Sequence, residues 1–91
     1  MEVINNTKTG NKTINKFAQK IEKDFNKQFK GYEIDKIDFV YDGEEEIITA
    51  VFVKDTPYKD ENGKILGDAR FCSIYKTTGI TYFSNDFSDI K

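Results

Sequence analysis

The chain has no histidine and no tryptophan, and only one cysteine, one proline, one methionine and one arginine in its 91 residues. Each scarcity excludes something. A lone thiol, Cys72, cannot close an intramolecular disulfide, whereas a secreted domain this small commonly carries several. Without histidine, the commonest metal ligand and the usual activating base for a nucleophile are both missing. No run of about 18 apolar residues occurs, so nothing reads as a membrane span. The opening Met1-Glu2-Val3-Ile4-Asn5-Asn6 lacks an apolar stretch of signal-peptide length. The expected location is a reducing cytoplasm.

What is present suffices for one modest core. The apolar share, 37%, is low and the charged share, 33%, is high, but eight Phe, five Tyr and eleven Ile favour β-rich packing over disorder. A chain of this length buries only about 60–65% of the surface its unfolded form exposes, so stability is thin. The 13 Lys against the single Arg70, with abundant Asn and Ile, resemble the output of AT-rich coding. A bacterial, phage or mobile-element source is expected.

Charge is segregated along the chain. Residues 1–30 carry a net +4 and residues 31–91 a net −6, which together give the −2 of the whole. Two electrostatic faces follow, and such faces steer partners.

Residues 1–12 read as a flexible arm or a short edge strand, and 13–91 as a single α+β domain. The clearest element spans 13–29, where Ile14, Phe17, Ala18, Ile21, Phe25 and Phe29 recur at helical spacing and draw one apolar stripe. Thr13 is the expected N-cap and Gly31 the left-handed residue that ends the helix. After Gly31 the period becomes two. Ile37, Phe39 and Tyr41 alternate with Lys36, Asp38 and Val40; Asp42-Gly43 signals a turn; Glu46–Lys54 is a second strand rich in β-branched residues.

The polar stretch 55–68 holds Pro57, Gly67 and the turn dipeptide Asn62-Gly63, with Tyr58 and Ile65 flanking it as a small ribbon. Strands near Ala69–Lys76 and Ile80–Ser84 follow, then an acidic tail with Phe87 and Ile90 as docking anchors. The expected fold is α+β: one N-terminal amphipathic helix packed on a four-stranded antiparallel meander, five-stranded if residues 2–4 join. That last order, β-α-β-β-β-β, is the topology of cystatin-like folds, an analogy that supplies no function.

Three constellations bear on function. Lys16, Lys20, Lys23, Lys27 and Lys30 fall within a band roughly 80° wide opposite the apolar stripe. A solvated face explains them; so would a docking strip for an anionic partner, nucleic acid included. Both faces of the sheet look apolar, with Ile47, Val51 and Val53 on one side of the second strand and Ile48, Ala50 and Phe52 on the other. One helix cannot cover two faces, so the tail and the 55–68 loop, or a second chain, must cover the other. Finally, Asp42, Glu44, Glu45 and Glu46 cluster at a turn, where with Asp35, Asp38 and Asp55 they would mimic nucleic-acid charge or simply protect the edge.

Catalytic parts are missing. Cys72 lies mid-strand with no base to activate it, the acids show no pairing, and no glycine loop is built to cradle phosphate. Asp60-Glu61-Asn62-Gly63-Lys64 places Lys64 where a calcium loop needs oxygen, so no metal or cofactor is expected. The reading is a small non-enzymatic protein-binding module, a regulator or inhibitor, with Glu44, Glu45, Glu46, Phe52, Tyr75 and Tyr82 as contact residues. A homodimer is its simplest assembly. The alternatives are a nucleic-acid-binding module using the lysine helix and a structural assembly subunit.

Overall fold

The computed structural model describes residues 1–54 and 70–84, together with the backbone of 58–59, 65–67 and 69. The chain runs β1 (Glu2–Asn5), α1 (Asn11–Gln28), β2 (Ile34–Asp42), β3 (Glu46–Val53), β4 (Tyr58–Lys59), β5 (Ile65–Gly67), β6 (Ala69–Tyr75) and β7 (Thr81–Phe83). Five strands form one sheet in the order β1-β2-β3-β6-β7, with α1 packed on one face of it. The other two, β4 and β5, pair antiparallel as the small ribbon expected around Tyr58 and Ile65. The turn dipeptide, Pro57 and the tail anchors Phe87 and Ile90 lie outside the described residues.

The sheet is mixed, which corrects the expectation of a purely antiparallel meander. Glu2–Asn5 joins it as an edge strand parallel to β2, with Val3 opposite Ile37. The cause is the helix between them. Eighteen residues of α-helix rise about 27 Å, so α1 returns the chain to the end where β1 began, and an adjacent strand must then run the same way. The β2–β3, β3–β6 and β6–β7 pairings are antiparallel.

The helix starts earlier than its sequence suggests. Gly10 is the N-cap, with φ −62° and ψ 149°, no side chain caps the first turn, and Thr13 sits exposed inside the helix. The start is fixed from outside by Asn5. Its amide nitrogen donates to the Thr9 carbonyl and to Asn11 Oδ1, both at 2.8 Å, while its Oδ1 accepts from the Thr7 N–H at 2.9 Å and the Thr7 hydroxyl at 2.6 Å. Beyond the other end, Gly31 adopts the left-handed conformation expected of it, with φ +89°.

The core lies between α1 and the sheet. Ile14, Ala18, Ile21, Phe25 and Phe29 meet Ile34, Ile37, Phe39, Ile47, Val51, Val53, Cys72, Ile74 and Phe83. The Phe25 ring stacks near Phe29, centroids 4.9 Å apart, and both meet Phe83 edge-on at 5.9 Å. Each such side chain contributes about 1.5–3 kcal/mol by leaving water. This core uses one side of the sheet.

Candidate protein-binding face

Alternation decides what the other side shows. On β3, Ile47, Thr49, Val51 and Val53 are buried beneath the helix, so Ile48, Ala50 and Phe52 point away from it. The register then sets Tyr41, Ile48, Ser73 and Tyr82 in one row across four strands. A second row holds Ile4, Asp38, Ala50 and Phe71. Glu46 stands opposite Tyr75, and Lys36 opposite Phe52, its Nζ 4.4 Å from the ring centroid. This is the outer face.

Its aromatic residues are open to solvent: Tyr82 is 58% exposed, Tyr41 55%, Phe71 47% and Tyr75 41%. Of the contact residues expected from sequence, Tyr75, Tyr82, Phe52 and Glu46 therefore share one face, and Phe52 is partly covered. Tyr41 is placed differently from its expected position in line with Ile37 and Phe39. The β2–β3 register shifts between Phe39 and Tyr41, so Val40 is an extra residue and Tyr41 emerges on the outer side, opposite Ile48. The Tyr41 ring lies against Gly43, where an added Cβ would come within 3.1 Å of its Cε1. Phe71 also belongs to the face, and its parity with Tyr75 was the signal for it.

One end of this face carries the acidic turn. Glu44 and Glu45 are exposed and Glu46 is half-buried. The turn is closed by the Gly43 N–H donating to the Glu46 carbonyl at 2.8 Å, and braced by the Lys76 N–H donating to the Glu45 carbonyl at 2.8 Å. The Lys76 ammonium also reaches the Gly43 carbonyl at 2.9 Å and pairs with Asp42. Asp42 further accepts from the Thr9 hydroxyl. Its hydrogen bond from Lys76, then that from Thr9, hold its carboxyl below the ordinary value. Asp35 and Asp38 are not gathered with the turn: Asp38 lies mid-strand and accepts from Asn6 Nδ2 at 2.8 Å, while Asp55 is outside the described residues.

The remaining candidates fall elsewhere. Lys16, Lys20, Lys23, Lys27 and Lys30 are all exposed, away from the core, with Lys20 Nζ 3.5 Å from Asp24 Oδ1. Cys72 is a core residue beneath the helix, and burial pushes its thiol up to about 12, the Thr49 hydroxyl pulling the other way. Among the described residues no three His, Cys, Asp or Glu side chains are grouped to hold a metal, and no helix is long and apolar enough to cross a membrane. Set beside known proteins, the chain matches no family model, no curated protein and no solved structure.

Proposed function

We propose that the protein is a non-enzymatic binding module that docks another protein on the outer face of its sheet, as a regulator or inhibitor acting in the cytoplasm. The observation that carries this reading is the set of exposed aromatic side chains, Tyr41, Phe71, Tyr75 and Tyr82, gathered on a sheet face that α1 does not cover. Large apolar patches on small proteins commonly serve contact, and tyrosine is the residue type such interfaces favour. The acidic turn borders the patch, so the fitting partner has an apolar centre and a basic rim. The order of elements supports a cystatin-like analogy in outline only, and topology carries no function.

The test pairs capture with solution mass. Wild-type protein, a Y75K/Y82K variant and an E44K/E45K variant are used as bait under identical conditions, and each is sized by light scattering at micromolar concentration. The wild type retains one protein or self-associates, and both variants lose that contact while melting normally. Retention of the same partner by the aromatic variant would overturn the reading, as would a wild-type monomer that retains nothing.

A further inference from the structure

We propose that the exposed side of α1 is a second interaction surface, separate from the sheet, that tracks the phosphate backbone of a nucleic acid. Because α1 begins at Asn11, Lys12 lies in its first turn and extends the lysine strip by one turn. At about 100° per residue, Lys12, Lys16, Lys20, Lys23 and Lys27 share a band roughly 80° wide and cover about 22 Å of helix axis. All five are exposed, and Lys30 continues the strip past the last turn.

The neighbours of the strip matter as much as the lysines. Next to it on the solvent side stand Asn15, Gln19 and Asn26, all exposed and all neutral hydrogen-bonding amides. The helical acids Glu22 and Asp24 fall at the margins of the apolar stripe, and Asp24 is half-buried beside Lys20. The first turn has no acid and no side-chain cap, so the positive end of the helix dipole adds to Lys12. A lysine there works against helix stability, which a merely solvated face gives no reason to accept.

The chemistry selects among anionic partners. A protein interface of useful strength has an apolar centre, and this strip has none: between its margins it shows only Lys, Asn and Gln. A phosphate backbone needs no apolar centre and is held by spaced point charges. Lysine without arginine gives contacts that position a backbone and read little sequence. An acidic protein is therefore the poorer fit.

The experiment uses the full chain and fluorescence anisotropy of a labelled short DNA duplex, with duplex RNA and single-stranded DNA as parallel probes and a poly-glutamate peptide as competitor. Binding appears at low salt and weakens with a slope of log K against log salt of about −4 to −5, as expected for about five neutralised phosphates. K16Q/K23Q reduces that slope by about 2, and K16E/K23E abolishes binding, with thermal melts showing both variants folded. Lys36→Gln and Tyr82→Ala on the sheet leave affinity unchanged, so this surface fails or survives independently of the sheet. No binding at low salt, binding indifferent to K16Q/K23Q, or poly-glutamate competing as well as unlabelled duplex would each overturn the proposal.

Discussion

Lys76 and Asp42 form an ion pair across the end of the sheet, joining the turn after β6 to the end of β2. Thr9 reaches the same carboxylate from the β1–α1 loop, so three separate stretches of chain converge on one acid. The partners hold the folded carboxyl below its ordinary value of 3.8. The unfolded chain therefore takes up the proton first as pH falls. The stability this carboxylate contributes is complete above 3.8 and drains as pH drops through the lower folded value. Urea melts at pH 7 and pH 3 should show Lys76→Met less stable than wild type at neutral pH, with the gap narrowing in acid. A gap that stays constant would show that Asp42 is not the linked group.

The thiol of Cys72 should be silent in the native state. With its pKa pushed up to about 12 and the sulfur beneath α1, almost no thiolate exists or is reachable at pH 8. Reaction with a chromogenic disulfide should be at least about 100-fold slower in buffer than in denaturant, following the thiolate argument. Rapid labelling of folded protein would contradict the packing described.

Thr49 stands opposite Cys72 in the β3–β6 ladder, fully buried, and apart from the weakly bonding Cys72 thiol no described group offers its hydroxyl a hydrogen bond. An orphaned buried hydroxyl is unfavourable. Thr49→Val keeps the shape and removes the polar atom, so it should raise stability, by on the order of 1 kcal/mol. A loss of stability in denaturant titration would mean that the hydroxyl is satisfied.

Gly79 is held at φ +68° in the β6–β7 turn, where its N–H donates to the Tyr75 carbonyl at 2.7 Å. A side chain has open space there, so only the backbone conformation resists substitution. Gly79→Ala should cost about 1–2 kcal/mol, read from the urea midpoint. A neutral result would mean that the turn adopts another form.

Core and outer face should separate cleanly by mutation. Phe25→Ala removes a fully buried ring and should cost about 3–5 kcal/mol, while Tyr82→Ala should change stability by only about 0.5 kcal/mol. If Tyr82→Ala destabilises as strongly as Phe25→Ala, that tyrosine is structural and the outer face is not available to a partner.

Which features were legible in the sequence follows from how local their causes are. The Ile14–Phe29 stripe and the alternation along β3 and β6 announced themselves because side-chain periodicity is a property of each segment alone. The same alternation showed that the sheet would be apolar on both sides, and so suggested the candidate face. Three features were not local. The direction of β1 depends on where α1 delivers the chain, the start of α1 depends on hydrogen bonds from Asn5, and the emergence of Tyr41 depends on how β2 counts against β3. The missed start of α1 also concealed Lys12 as a member of the basic strip.

The extra residue at Val40 has a consequence for how the molecule could change. With a period of two, an unbulged ladder that paired Val40 with Ile48 would swing Tyr41 inward toward a crowded interior and turn Asp42 away from Lys76 and Thr9. One irregularity thus governs both an aromatic of the outer surface and the knot at the sheet's end, so the bulge decides which way the last residues of β2 face.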